Sequence, residues 1–278
     1  MWSITLRITF LMFSFLGLHE ASAQSLLVYI GAPDTQTSSV AGNTGALTET
    51  FNSLSLGDKS APYVSNIGTF QFSPTAQGDI LAADQYGGAN GSKYMSFGAQ
   101  SGTSAPITIN LNGNYNYFGF WFSAGDTNNG ITFYNGSTQY ARFSTADIVS
   151  LLSGTTVTAI NGTTYASNSY FGNPNGTNED TNEPFTYVEI VTSGTFNKVV
   201  LDNSGTTATG FESDNDTVYA GTVTIPGADV FVGSLTVVPE PAHYAVLFGA
   251  IILCLVGSRR LMGGSLPRYE YARVSLIS

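Results

Sequence analysis

Short oxygen-bearing side chains gather at two places in this 278-residue chain: Asp126, Asn128 and Asn129 follow an aromatic run, and Asp214, Asn215 and Asp216 follow Phe211-Glu212. Carboxylate and amide oxygens in such groups suit a hard cation, which makes Asp126, Asn128, Asp214, Asn215 and Asp216 candidate calcium ligands. Neither group is an EF-hand. Counting from Asp214, the sixth position is Tyr219 where that loop needs Gly, and the twelfth is Ile225 where it needs Glu. Asp and Asn also bond their own backbone in turns, a reading that requires no metal. Glu179, Asp180, Glu183 and Glu189 raise a second chemistry, that of a two-carboxylate glycoside hydrolase, which needs one protonated acid and one ionised partner. Because Glu179 to Glu183 stand in a polar, Asn-rich stretch, a solvated acidic loop is the preferred reading.

The aromatic run Tyr115-Asn116-Tyr117-Phe118-Gly119-Phe120-Trp121-Phe122, taken as a strand, puts Phe118, Phe120 and Phe122 on one face and Tyr115, Tyr117 and Trp121 on the other. The first face belongs to the core. The second is a candidate glycan-stacking platform, with Gly119 admitting a ligand to the backbone, although packing beneath a loop or helix is the preferred fate of such a face. The only cysteine is Cys254 and the two histidines are His19 and His243. Residues 24–238 therefore have neither thiol nor imidazole up to that boundary, which excludes Ser-His-Asp and Cys-His catalysis, His- or Cys-ligated zinc, and disulfides. Cys254 is read as filling an apolar helix.

Elements that would position these groups are mostly strands. Residues 24–238 are rich in Gly, Ser, Thr and Asn, and short alternating apolar runs recur between turn signals. Strands are expected at Ile107 to Leu111, Ile131 to Tyr134, Tyr140 to Phe143, Phe185 to Val191, Thr195 to Leu201 and Val230 to Val237. Asn135-Gly136 and Asn161-Gly162 mark tight hairpin turns. Ser144 to Leu152 is the one persuasive helix, with Ser144 as N-cap, Asp147 three residues on, Ile148, Leu151 and Leu152 on one side, and Gly154 beyond. Asn173 to Pro184 reads as a long loop. The fold class expected is mainly β: a single antiparallel β-sandwich or jelly-roll ectodomain with one short helix.

The chain ends differ from this middle. Arg7, the apolar run Ile8 to Leu18 and Ala21-Ser22-Ala23 form a signal peptide over 1–23, with Ala21 and Ala23 at the cleavage site for signal peptidase. The ectodomain then spans 24–238. Beyond it, Val238-Pro239-Glu240-Pro241 precedes an uncharged apolar stretch, read as a transmembrane helix over 242–258, and Arg259-Arg260 follow. As a helix this stretch spans roughly 24 Å, enough to cross a locally thinned bilayer, and the arginines stay cytoplasmic. Residues 261–278 form a short cytoplasmic tail, longer than usual after such a cluster.

These three parts in order, Val238-Pro239-Glu240-Pro241, an apolar helix and Arg259-Arg260, resemble the PEP-CTERM sorting signal of Gram-negative bacteria, spanning 239–260, which an exosortase recognises and removes. Residues 45–225 also resemble the β-sandwich surface proteins that carry this tail. The shared phrases are Asp84-Gln85-Tyr86-Gly87-Gly88, Gly119 to Asp126, Gly172-Asn173-Pro174-Asn175 with Glu183-Pro184-Phe185, and Gly210 to Asn215, with Asp216 standing where the family has His. The resemblance implies a noncatalytic protein delivered through an inner-membrane intermediate to the cell surface, outer envelope or biofilm matrix. It implies no ligand and no catalytic residue.

Residues 24–238 hold 16 acidic side chains and four basic ones, Lys59, Lys93, Arg142 and Lys198, a balance of −12. Nucleic acid is therefore not an expected partner. The leading functional expectation is a noncatalytic structural or adhesive protein. The alternatives are a calcium-dependent, lectin-like module for extracellular polysaccharide and, third, a glycoside hydrolase.

Overall fold

The computed structural model describes residues 25–234 apart from 177, 178 and 226. Its strands are β1 (Ser25–Ile30), β2 (Leu47–Glu49), β3 (Gly57–Lys59), β4 (Tyr63–Val64), β5 (Gly68–Phe70), β6 (Gly78–Leu81), β7 (Tyr94–Gly98), β8 (Ile107–Ser123), β9 (Gly130–Asn135) and β10 (Thr138–Ser144). After helix α1 (Thr145–Leu151) come β11 (Thr156–Thr158), β12 (Thr164–Ala166), β13 (Thr186–Asp202), β14 (Gly210–Tyr219) and β15 (Phe231–Ser234).

The turn signals act as their chemistry requires. Gly136 closes the β9–β10 hairpin at φ 60° and Gly162 closes the small β11–β12 hairpin at φ 77°. Helix α1 starts directly after Ser144, whose backbone N–H donates to the Asp147 carboxylate at 2.7 Å, and it buries Ile148 fully.

Two 17-residue strands, β8 and β13, run antiparallel through the middle of the molecule. Each merges two segments that the sequence separates: Ile107 to Leu111 with the aromatic run, and Phe185 to Val191 with Thr195 to Leu201. Their register shifts between Val191 and Phe196 and again before Lys198, so bulges absorb the polar residues between the apolar halves without breaking the strands. The first half of β13 pairs with β1 and the second with β9, while β8 pairs with β5 near its start and β14 near its end.

This geometry corrects the expected architecture. A sandwich or jelly roll needs separately bonded sheets face to face. Here, among the described residues, one 13-stranded sheet follows the open path β10-β9-β13-β8-β14-β7-β6-β3, with β1, β2, β4, β5 and β15 attached and only β11–β12 apart. The two long strands carry hydrogen bonds from one end of the path into the other, and no closed jelly-roll topology results.

The core lies on the Phe118, Phe120 and Phe122 face of β8, all at most 1% exposed. Phe118 meets Phe133 edge-on at 5.8 Å, Phe133 meets Phe196 at 4.8 Å, and Phe120 stacks towards Phe211 at 6.4 Å. Such pairs each add about 0.5–1.5 kcal/mol beyond area burial. On the opposite face a smaller cluster forms from Ala89, Trp121, Ala124, Phe185 and Tyr187.

Among the described residues no helix is long and apolar enough to cross a membrane. The segments read as a signal peptide with Ala21 and Ala23, and as a sorting tail with its transmembrane helix, lie outside the described residues. The described fold therefore gives the expected transmembrane element, and the inner-membrane intermediate built on it, no support.

Candidate functional site

The candidate glycan platform is not a surface. Trp121 and Tyr117 are at most 1% exposed, and the Tyr117 hydroxyl shares a 2.6 Å bond with the Ser38 hydroxyl in the segment covering that face. Tyr115 leaves the other two and joins the main core, its hydroxyl donating to Asn112. Opposite the step from Tyr117 to Tyr115 strand β13 bulges, its paired residue passing from Val191 to Phe196, and Tyr115 lies on the far side of that bulge among the main core. Gly119 does not admit a ligand either. A Cβ there would lie 2.4 Å from the Tyr117 oxygen and 2.8 Å from the Tyr187 ring, so this glycine exists to let two tyrosines cross the strand.

The calcium candidates separate in the same way. Asp214 is fully buried opposite Trp121, and its oxygens accept from the backbone of Ala89 at 2.8 Å, the Ser92 hydroxyl at 2.9 Å and the backbone of Asn215 at 2.7 Å. Burial pushes its carboxyl up to about 7 against the pull of those donors. Asn215 adopts a left-handed φ of 52° inside a bulge that inserts one residue between Asp214 and Thr217, and its amide donates to the Gln36 carbonyl at 2.7 Å. Asp216, displaced by that bulge, accepts from Ser213 in the protein interior. Asn128 gives its carbonyl to the Ser204 hydroxyl at 3.1 Å. Among the described residues no three His, Cys, Asp or Glu side chains are grouped to hold a metal ion.

Of the glycosidase candidates, Glu189 is 1% exposed and takes the Ser39 N–H at 3.1 Å together with the Ser39 hydroxyl. Glu179 and Asp180 stay in the 173–184 loop, where the Glu179 carbonyl accepts from Asn173 at 2.8 Å. Glu183 has a different fate. With Asp126 it lines a cleft of about 340 Å³, whose other lining residues include Tyr86, Gln100, Thr209 and Glu212.

This cleft joins parts far apart in sequence. Asp126 sits in the turn that ends β8, where its carboxylate accepts from the Gly210 backbone at 3.1 Å. Glu183 is held by the bond from the Gly172 N–H to its carbonyl at 3.1 Å, immediately before β13. Glu212 comes from near the start of β14, opposite Ser96 of β7 and Ser123 of β8, and is 2% exposed. Its Oε1 lies 3.0 Å from the Ser96 hydroxyl, which lies 2.9 Å from the Gln100 side-chain oxygen as well. One hydroxyl proton cannot serve both acceptors. A protonated Glu212 resolves this by donating to Ser96, which then donates to Gln100. Gly210 makes the arrangement fit, because a Cβ there would stand 2.1 Å from Glu212 Oε1.

Electrostatics point the same way. Burial, then repulsion from Asp126, Glu183 and Asp84, holds the Glu212 carboxyl well above the ordinary range against the Ser96 bond. Burial raises Glu183 too, with repulsion from Asp126 and Asp180, and burial raises Asp126. Glu212 Oε2 and Glu183 Oε2 are buried atoms with no hydrogen-bond partner among the described residues.

Sequence reasoning found Asp126 and Glu183 for other reasons and missed Glu212, Gln100 and Tyr86. One signal was available for Glu212: acids at alternate positions, Glu212, Asp214 and Asp216, in a strand-like stretch put charge where a buried strand carries none.

Comparisons with protein-family models and with curated proteins find no match. The expected kinship with exosortase-sorted PEP-CTERM surface proteins is thus unsupported by family models and departs from the observed sheet. The residues given a sorting role, Val238, Pro239, Glu240, Pro241, Arg259 and Arg260, lie outside the described residues, and the envelope or matrix location expected from that kinship has no support here.

Proposed function

We propose that this chain is a noncatalytic, adhesive module that binds carbohydrate in the cleft between Tyr86, Gln100, Asp126, Glu183 and Glu212. The observation carrying this reading is a concave site in which a 37% exposed tyrosine ring meets an amide and three carboxyl groups. Aromatic faces and convergent polar groups are what a sugar ring requires, one for its C–H face and the other for its hydroxyls. Catalysis by a carboxyl pair needs environments that push the two pKa values apart. In this cleft Asp126, Glu183 and Glu212 are all pushed upward, with no basic side chain of the described residues lining it to keep one ionised.

Calorimetric titration of the purified protein with soluble polysaccharides and their oligomers tests this. Binding should weaken about tenfold in Tyr86→Ala, the loss of roughly 1.4 kcal/mol of stacking. Binding indifferent to that change, or none at all, refutes the assignment of the cleft. Release of reducing ends that stops in Glu212→Gln would show an enzyme instead.

A further inference from the structure

Charge in this cleft is unbalanced, and the four basic side chains of the described residues are engaged elsewhere. Lys59 donates to the Leu56 and Gly57 carbonyls and Lys93 to those of Asn52 and Leu54. Arg142 pairs with Asp202, and Lys198 lies 4.3 Å above the centre of the Tyr134 ring. Against that stand Asp126, Glu183 and Glu212, which line the cleft, and Glu212 Oε2 is buried and without a partner among the described residues.

A buried, unsatisfied carboxyl beside two others is costly in any fold, and three kinds of ligand can relieve it. A divalent cation needs six or more oxygens converging at close range, and no group of three acids among the described residues is placed for one. A neutral hydroxyl satisfies one lone pair and leaves the mutual repulsion in place. A primary ammonium carries three donors and a full positive charge, reaches spread acceptors, and neutralises repulsion at the same time.

We propose that the carbohydrate taken by this cleft bears free amino groups: a glucosamine-type sugar whose ammonium sits against Glu212, flanked by Glu183 and Asp126, while Tyr86 covers the ring. This rests on the carbohydrate-binding reading and narrows its substrate class. Binding draws the proton from Glu212, so the protein releases protons as it takes the ligand. The groups that set this titration are Asp126 and Glu183 across the cleft, Asp84, and Tyr94, whose hydroxyl donates to Asp84 at 2.9 Å.

The experiment is calorimetric titration of the full chain with three matched oligomer series: glucosamine, N-acetylglucosamine and glucose. It is run at about pH 6, where a primary amine of this kind is protonated, in buffers of differing ionisation enthalpy. The glucosamine series should bind at least tenfold tighter than the other two, with net proton release and clear weakening by salt. Glu212→Gln, close in shape, should abolish that preference. Glu183→Gln should reduce it several-fold and serves as the reading if the first variant does not fold. Equal binding of glucose or acetylated oligomers overturns the amine inference and leaves the carbohydrate module standing. Absence of binding by all three series overturns both.

Discussion

Gly119 shows how narrowly a single residue can be determined by its neighbours. Tyr117 of its own strand β8 and Tyr187 of the neighbouring β13 bring a hydroxyl and a ring across the space a side chain would fill. Tyr187 in turn donates to the Asn215 carbonyl at 2.8 Å, so the glycine supports the strand bulge that places Asp214. Gly119→Ala should therefore destabilise the fold by about 2–3 kcal/mol through overpacking, seen as a lower urea midpoint. A variant as stable as the parent would mean that the tyrosines repack freely. The same crowding explains why the aromatic run misleads as a sugar platform: alternation says which residues share a face, and not whether a distant loop lies over it.

Among the elements, α1 was the most legible. A polar cap, an acid three positions on and apolar residues at helical spacing are local facts, and they place Thr145–Leu151 within a residue of the expected start. Removing the reciprocal bond with Asp147→Ala should cost about 1 kcal/mol, read from denaturant unfolding, with the sheet intact. The long strands were less legible. Asn112, Gly113 and Asn114 in β8, and Ser193 and Gly194 in β13, carry the composition of turns, yet here they belong to continuous strands. Local propensity breaks these segments, while pairing with β1, β9, β5 and β14 on both sides keeps them extended.

For the whole molecule the governing fact is acid. Glu189, Glu212, Asp214 and Asp216 are buried carboxyls whose folded-state pKa values are raised, so the native state holds protons that the unfolded chain has released. Stability from such groups is fully present below the unfolded carboxyl range near pH 4 and falls as pH rises towards the folded values. For Asp214 that window closes at about 7. Thermal unfolding should therefore occur at a higher temperature at about pH 5 than at about pH 8, and the balance of −12 over residues 24–238 should make added salt stabilising at the higher pH. A melting temperature that rises with pH across this interval would contradict the raised values. Asp214→Asn should flatten the slope between the two.

By itself the sequence determined the β class, the two Gly-closed hairpins, the capped helix and the exclusion of thiol and imidazole chemistry from residues 24–238, because each depends on residue type and short-range spacing. Only the tertiary structure decided that the strands form one bulged, open sheet, that Tyr117 and Trp121 are covered, and that Asp126, Glu183 and Glu212 meet in a cleft. Those outcomes depend on pairing between segments far apart in the chain, as many as 209 residues for Ser25 and Ser234, where burial and hydrogen-bond satisfaction over the whole sheet outweigh the preference of any one stretch.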